Sequence, residues 1–341
     1  MPKTSSEPSR RVQLHGPTMG TRWSVRCDIG AGVDAAALRA ELAAAVEQVD
    51  QQMSPWKPGS DLNRLNRSPP GQWLELPPQM LQVLARSLEI ARASGGAFDP
   101  AVGALVDAWG FGAVRDVPDA AAIRAAAEAP RLPAHKGLEL DLAAGRARKH
   151  APLQLDLCGI AKGYAVDCMA AVLQRHGVRH ALAALDGELR AIGAQADAQP
   201  WAVALESPQP GQRAVHGVIE LQDLAVATSG DYRRFVQLGG LRVAHSIDRR
   251  RAAPVHNDVA SVTVLAADCT SADAWATALL VAGAGEGLAL AQRVGLEVLY
   301  LLRREGRWVE LGLGRFAAPA GGAAAVAGPR RGLAASPTMA R

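Results

Sequence analysis

The sequence predicts an α+β fold in which mixed or antiparallel β-sheets are flanked by helices. Its first half carries amphipathic stretches of helix length, whereas its second half carries short stretches that alternate between apolar and polar residues. Several of these short stretches are joined by two-residue turns, Asp186–Gly187 and Glu305–Gly306 among them, which indicate hairpins. Helices followed by hairpin-linked strands favour α+β over a parallel α/β fold.

Helices in the first half are predicted from capping residues and apolar periodicity. After a strand at Thr21–Cys27, Asp34 is suited to cap a helix that runs to about Met53. A second amphipathic helix spans 77–94, and Pro100 occupies the first turn of a short third helix. The first half therefore supplies most of the helices that flank the sheet.

The stretch LQLDLCGIAKGYAVDCMAAVLQRHG combines a strand, a turn and a helix. Leu153–Leu157 alternates like a strand, Cys158–Gly159 forms the turn, and the following helix runs to His176 and stops at Gly177. Free backbone N–H groups and the helix dipole make such a turn a natural site for an anion.

Two polar residues flank this turn. The dipole does not favour a cation in the first turn, so Lys162 there indicates a phosphate contact, with a solvated lysine as the alternative. Asp156 closes the strand on the same rim, where it either meets a polar ligand group or caps the helix.

The stretch TSADAWATALL predicts the start of another helix, capped by Thr270 or Ser271. Asp273 and Thr277 are spaced i, i+4 and therefore share one face of it. The helix dipole and back-bonding to the helix carbonyls are sufficient to explain both residues. A hard divalent cation, which takes oxygen ligands, is the alternative.

Composition excludes several function classes. The net charge of +4 is small for 341 residues and its arginines are dispersed, so we expect no nucleic-acid partner. The four cysteines lack CxxC spacing, which argues against a zinc site and a redox dithiol. Because neither a signal-like N-terminus nor an apolar run of transmembrane length is present, we expect a cytoplasmic protein without a transmembrane segment. The alternative is a membrane- or periplasm-facing form, which a mis-assigned start would allow.

One domain is expected over 13–316. Residues 1–12 are polar and expected to be mobile, and the Ala/Gly/Pro-rich stretch 317–341 is expected to be disordered. The stretch ALLVAGAGEGLAL is similar to a dinucleotide fingerprint, but Leu288 stands where the third glycine is required, and the stretch reads as a helix. A Rossmann dehydrogenase is therefore disfavoured.

Seven segments resemble the ApbE family of FAD:protein FMN transferases in the family's order. They are MGTRWSV, MSPWKPGSDLNRLN, AFDPAVGALVDAWGFG, LDLCGIAKGYAVD, ATSGDY, AHSID and SVTV…ADAWATALLVAG. The resemblance spans roughly 17–283 and implies a two-lobed single domain. It implies an enzyme that binds FAD and Mg²⁺ and transfers FMN to a Ser or Thr hydroxyl of an acceptor flavoprotein, releasing AMP.

The resemblance also implies roles for individual residues. Asp273, Thr277 and the carbonyl of Gly159 match Mg²⁺ ligands, and His245 matches a catalytic histidine. Lys162 would assist electrostatically, and His245 or Asp248 would take the proton of the acceptor hydroxyl. The positions that match FAD-binding residues are Met19, Trp56, Ala97, Phe98, Asp99, Asp156, Lys162 and Ile247.

This chain departs from the family pattern at three places. HSIDRRRA replaces the usual H-I-I-D-P-R-T-G, Asp186 replaces the first glycine of a double-glycine turn, and Cys158 replaces another glycine. Two alternative functions use the same residues. One is an Mg²⁺-dependent FAD pyrophosphatase, in which water is the acceptor, and the other is a flavin-binding protein without catalytic activity.

Overall fold

The computed structural model describes residues 9–130, 132–209, 214–231, 235–238 and 241–317. The α-helices in that part are α1 (Ala35–Met53), α2 (Asp61–Arg67), α3 (Pro78–Ala93), α4 (Gly103–Ala108), α5 (Ala120–Glu128), α6 (Ala134–Gly137), α7 (Ala161–Arg175) and α8 (Cys269–Arg293), and a 3-10 turn follows at Gly314–Phe316. The strands are β1 (Arg10–Thr18), β2 (Thr21–Ile29), β3 (Leu74–Glu75), β4 (Leu138–Asp141), β5 (Arg146–Lys149), β6 (Ala181–Leu185), β7 (Glu188–Ile192), β8 (Trp201–Glu206), β9 (Val215–Leu221), β10 (Ala225–Gly230), β11 (Phe235–Leu238), β12 (Leu241–Ala244), β13 (Ile247–Asp248), β14 (Ala253–Pro254), β15 (Val259–Ala266), β16 (Glu297–Arg304) and β17 (Arg307–Leu313).

Eight strands form one antiparallel sheet in the order β1-β2-β6-β7-β10-β15-β16-β17. The predicted hairpins β6–β7 and β16–β17 are present, and Asp186, Glu305 and Gly306 adopt positive φ in their turns. Smaller sheets are formed by β3-β5-β4, β8-β9, β11-β12 and β13-β14. The predicted α+β class is therefore confirmed, and its principal sheet is antiparallel.

The two faces of this sheet belong to different cores. Helix α7 packs on β6 and β7, and α8 packs on β10 and β15. On β15, Val262 and Val264 lie in the helix-side core, whereas Leu265 lies in a core shared with Trp201 of β8 and Ile219 of β9. The alternation of a strand thus places helices on one face and the β8–β9 hairpin on the other.

The predicted strand over Leu153–Leu157 is wrong, although its alternation is real. Leu153, Leu155 and Leu157 are buried, but the segment belongs to no sheet. The Asn66 side chain accepts the N–H of Leu155 at 2.7 Å and donates to its carbonyl at 2.9 Å. Side-chain partners therefore replace a strand ladder, because buried backbone groups need partners of some kind.

Helix boundaries follow the predictions in α1 and depart from them in α4 and α8. Asp34 caps α1 as predicted, accepting the N–H of Ala36 at 2.8 Å. Helix α4 begins at Gly103 and not at Pro100, because the Asp99 side chain accepts a hydrogen bond from the Ala101 N–H and keeps that segment in a turn. The cap of α8 is Asp268, not Thr270 or Ser271.

Helix α8 is apolar and interrupted. Gly283 has non-helical φ and ψ of 76° and 170°, which breaks the helix between its two parts. Of the helices that the structure describes, α8 is long and apolar enough to span a membrane, and 67% of its most apolar stretch is buried within the protein. That burial against β10, β15 and α7 accounts for its composition.

The ends of the chain are described in part. Strand β1 begins at Arg10, so Arg10–Val12 belong to the sheet, although the segment 1–12 was expected to be mobile. The tail expected to be disordered lies outside the described residues from 318 onward.

Helices α7 and α8 are in close backbone contact at Gly163. A Cβ at this position would collide with the carbonyl oxygen of Cys269 and lie 2.8 Å from the Cβ of Asp273. Gly285, in the second part of α8, has open space where its Cβ would be.

We therefore expect Gly163→Ala to lower the free energy of unfolding by about 1–3 kcal/mol, because the added methyl group overpacks the helix contact. Gly285→Ala should leave it unchanged or raise it by up to about 1 kcal/mol through helix propensity. Urea denaturation measures both values. Equal stability of the two variants would show that the glycine contact does not limit the approach of the helices.

Candidate functional site

One end of the large sheet gathers the turns that carry candidate residues. Trp23 of β2 lies opposite Leu185 of β6, which places the turns Met19–Gly20 and Asp186–Gly187 at the same end. Ala227 of β10 lies opposite Glu188, so β10 continues to that end through Ser229. Helices α7 and α8 cover this end from the helix-side face.

The three residues predicted as metal ligands come together here. A Cβ at Gly159 would lie 2.9 Å from Thr277 Oγ1, so the turn before α7 directly faces the third turn of α8. The N–H of Gly163 donates to Asp273 Oδ2 at 2.9 Å. Thr277 Oγ1 lies 3.3 Å from Ser229 Oγ, a residue for which the sequence suggested no role.

Three carboxylates, those of Asp186, Glu188 and Asp273, interact with the ammonium of Lys162 and are here called the carboxylate cluster. Lys162 Nζ donates to the two oxygens of Glu188 at 2.8 and 2.9 Å and lies 3.8 Å from Asp186. This pairing explains a lysine in the first helical turn without a phosphate, so its phosphate contact stays a prediction. Glu188 follows a hairpin turn, where side chains are usually solvated, and nothing in the sequence indicated its burial.

The electrostatics of the carboxylate cluster favour an additional cation. Burial raises the pKa of both Glu188 and Asp273, and the Lys162 ammonium opposes that shift. Burial alone would lower the pKa of Lys162, but Glu188, Asp273 and Asp186 outweigh it and hold the pKa above its usual value. If all three carboxylates are ionised, they share one ammonium and carry a net negative charge, which is why burial favours their protonation when no further cation is bound.

The donor set at the helix contact suits a hard cation that also binds substrate phosphates. It consists of the Asp273 carboxylate, the Thr277 hydroxyl and the Gly159 carbonyl. Within the described residues, no cluster of three or more His, Cys, Asp or Glu side chains could hold a metal ion. Asp273 would therefore be the charged protein ligand, and most remaining ligands would have to come from substrate.

Ala97, Phe98 and Asp99 form a buried turn next to α4. Asp99 accepts the N–H groups of Ala101 at 2.9 Å and Ala134 at 3.2 Å, and its other oxygen lies 3.5 Å from Arg249 Nε. Burial raises the pKa of Asp99, although these partners oppose the shift. The contacts give Asp99 a structural role, in which it joins the turn to the loop after β13.

Asp156 closes the turn before α7 and does not cap the helix, whose N-cap is Ile160 without a side-chain cap bond. Its Oδ1 accepts the N–H of Cys158 at 2.7 Å, and its own N–H donates to the carbonyl of Pro100 at 2.8 Å. Burial raises its pKa. The bond from Asp156 to Pro100 joins the turn before α7 to the turn that contains Asp99, so these two candidate segments are neighbours in the structure.

The loop at 245–252 carries the remaining catalytic candidates. The His245 ring packs edge-to-face on Phe111, with centroids 6.3 Å apart, and Ile247 is buried beside α4. The Asp248 carboxylate accepts the Arg250 N–H at 2.9 Å and its Nε–H at 3.1 Å. The Asp248 carboxylate is therefore hydrogen-bonded within its own loop, whereas the His245 ring packs on Phe111.

Two of the residues that match FAD-binding positions, Met19 and Trp56, have unusual environments. Met19 has a φ of 46° in a two-residue turn with Gly20 at 70°, a conformation that costs a side-chain-bearing residue roughly 1 kcal/mol. The Trp56 side chain, between α1 and α2, is 51% exposed. Strained backbone and exposed aromatic surface are both features that ligand contacts commonly explain.

Comparison with known proteins follows the same segments. Residues 19–300 match the ApbE family. The chain is 36% identical over 302 residues to the FAD:protein FMN transferase of Vibrio cholerae, covering 88% of this chain and 90% of that protein. It is 32% identical over 305 residues to the Escherichia coli K12 FAD:protein FMN transferase, covering 86% and 84%.

Solved structures show the same similarity. The flavin transferase ApbE from Vibrio cholerae matches with a TM-score of 0.81 at 34% identity, covering 91% of this chain and 99% of that chain. The apo form of Pseudomonas stutzeri flavinyl transferase ApbE matches with a TM-score of 0.80 at 33% identity, covering 90% and 96%.

The pairing of Lys162 with Glu188 generates a stability prediction. Lys162→Met leaves a buried carboxylate without its cation, so we expect it to cost about 3–5 kcal/mol at pH 8. The double variant Lys162→Met/Glu188→Gln should recover most of that loss. Urea denaturation of wild type, Lys162→Met, Glu188→Gln and the double variant measures the coupling.

The pH dependence gives a second measure of the same pairing. The folded-state pKa of Glu188 in Lys162→Met lies above its unfolded value, so the folded state binds the extra proton. Stability should be highest near about pH 5 and fall as pH rises to about 8. The double variant should show a smaller slope, because only Asp273 then keeps a raised pKa, and identical slopes in both proteins would contradict the assignment.

Proposed function

Because this chain belongs to the ApbE family, we propose that it is the enzyme that transfers FMN from FAD to a Ser or Thr hydroxyl of an acceptor flavoprotein, releasing AMP. The two relatives named above are FAD:protein FMN transferases, and this chain matches them over most of their length. The observation that supports the proposal most directly is the meeting of Gly159, Asp273 and Thr277 at the helix contact. It lies at the sheet end where Met19 also lies.

Mg²⁺ is the cation that we propose for this site. The Asp273 carboxylate uses Oδ2 for the Gly163 N–H, and within the described residues Oδ1 accepts no hydrogen bond. Thr277 and the Gly159 carbonyl would complete the protein ligands, and the FAD phosphates would supply further oxygens. When bound, the ion would neutralise charge on the pyrophosphate and balance the excess of the carboxylate cluster.

The residues of this chain have distinct tasks in the proposed reaction. The acceptor hydroxyl oxygen bonds to the FMN phosphorus, the bond from that phosphorus to the bridging oxygen breaks, and AMP leaves with that oxygen. His245 is the favoured base for the hydroxyl proton, because Asp248 is held by Arg250. Lys162, fixed by Glu188, contributes positive potential beside the phosphates, where positioning and charge provide most of the catalysis.

The experiment that tests the function uses the full chain, FAD, Mg²⁺ and an acceptor flavoprotein domain with its target hydroxyl. We expect a fluorescent flavin band on the acceptor in a denaturing gel and release of one AMP per flavin attached. The acceptor with its target residue changed to Ala is the control. Free FMN and AMP without a labelled band would show that water is the acceptor and that the protein is a pyrophosphatase.

Asp273→Asn tests the metal assignment while keeping a side-chain oxygen for the Gly163 N–H. Loss of the charge should reduce transfer at limiting Mg²⁺ by more than about tenfold, a loss already typical when only the groups that orient metal ligands are removed. Asp28→Asn is the matched control. Asp28 is also buried, but it pairs with Arg11 at the opposite end of β2. Equal rates for the two variants at limiting Mg²⁺ would remove Asp273 from the metal site.

Trp56 is expected to stack on the isoalloxazine ring, since an exposed indole offers a flat apolar face. Its fluorescence should then be quenched when FAD is titrated in, and Trp56→Ala should lose that part of the quenching. Trp308→Ala, on the edge strand β17, should quench like wild type. Undiminished quenching in Trp56→Ala would place the ring elsewhere.

A further inference from the structure

Contacts between α7 and α8 recur at intervals of one helical turn. Along the α7 segment they involve Gly159, Gly163 and Asp167, each four residues after the last. Along α8 the partners run in the opposite direction, as Thr277, then Asp273, then the first turn at 269–270. Two antiparallel helices thus meet at three levels, and the upper two levels contain the proposed metal ligands.

The third level is formed by hydrogen bonds to the carboxylate of Asp167. Its carboxylate accepts the N–H groups of Cys269 at 3.0 Å and Thr270 at 2.8 Å, and the Thr270 hydroxyl at 2.5 Å. Arg190 of β7 donates to the same carboxylate at 2.6 Å. Asp167 therefore connects the start of α8 to α7 and to the sheet.

We propose that Asp167 is a positioning residue that sets the register of α8 against α7 and thereby holds Asp273 and Thr277 opposite Gly159. This inference rests on the proposed function, since it concerns the same metal site. Asp167 itself lies two helical turns from Gly159 along α7 and makes no hydrogen bond to any of the three ligands. Its charge contributes to the raised pKa of Asp273, but its hydrogen bonds go to the start of α8 and to Arg190, so its geometric effect on the ligands is through the placement of α8.

The two glycine levels limit how close the helices come but do not fix how they slide. A shift of α8 by one residue moves its side chains about 1.5 Å along the axis and turns them by roughly 100°. That shift would separate Asp273 from the Gly163 N–H and Thr277 from Gly159. Three hydrogen bonds from the first turn of α8 to one carboxylate oppose it, because they are directional and charge-assisted.

Capping alone does not account for these bonds. Helix α8 has its own cap, Asp268, whose Oδ1 accepts the Ser271 N–H at 2.7 Å and the Ser271 hydroxyl at 2.6 Å. Asp268 stabilises the start of α8 without a hydrogen bond to α7 in the part of the chain that the structure describes. The two aspartates therefore provide a matched pair, since both cap α8 but only Asp167 connects it to another helix.

The experiment compares Asp167→Ala with Asp268→Ala in the full chain. We measure FMN transfer as a function of Mg²⁺ concentration at saturating FAD, and Mg²⁺ binding in the presence of FAD by calorimetry. Asp167→Ala should raise the half-saturating Mg²⁺ concentration at least about tenfold, with kcat at saturating Mg²⁺ within about twofold of wild type. Asp268→Ala should lower the melting temperature while its Mg²⁺ dependence stays within about twofold. Equal Mg²⁺ shifts in the two variants, or none in Asp167→Ala, would overturn the inference.

Two additions keep the test decisive. If Asp167→Ala does not fold, Thr270→Val removes only the hydroxyl bond to Asp167 and should raise the Mg²⁺ requirement in the same direction by a smaller factor. If wild type shows no transfer, the proposed function fails, and hydrogen exchange of the Gly163 amide tests the register on its own. Loss of its protection in Asp167→Ala but not in Asp268→Ala supports the register role, and equal protection in both contradicts it.

Discussion

The close antiparallel approach of α7 and α8 is the contact on which the candidate site depends. It requires a residue without a Cβ at Gly163, because the backbone of the α8 first turn occupies the space that a side chain would need. The same approach brings the Gly163 N–H to Asp273 and Gly159 to Thr277. Packing and site geometry are therefore one constraint, and neither helix could be repositioned without losing the other's contribution.

The carboxylate cluster shows how the fold accepts an electrostatic cost at this place. Glu188 and Asp273 are both buried, and the Lys162 ammonium is bonded to Glu188 and feels the charge of Asp273. Burying unequal charges is unfavourable by itself, since desolvation exceeds what one ion pair returns. Such an arrangement is common where a bound cation supplies the missing charge, as the proposed Mg²⁺ would. The cost to the unliganded protein would then be offset on binding.

Sequence reasoning succeeded where the determining interactions are local. The cap at Asp34, the hairpin at Asp186–Gly187 and the shared face of Asp273 and Thr277 depend on residues at most a few positions apart. It failed where a distant partner decides. Leu153–Leu157 is not a strand because Asn66 takes the place of a neighbouring strand. The partner of Lys162 was missed for the same reason, since it lies on another element.

The loop at 245–252 shows how this chain compensates for its departures from the family pattern. Ala252 adopts a φ of 54° where the pattern has glycine, so the loop keeps a left-handed turn at a steric cost. Arg249 stands where the pattern has proline, and its guanidinium is buried 3.5 Å from the Asp99 carboxylate. Proline restrains a loop by fixing its own φ angle, whereas Arg249 restrains it through an ion pair with Asp99 on the turn before α4. The position of His245 in this chain therefore depends on Asp99 as well as on the loop itself.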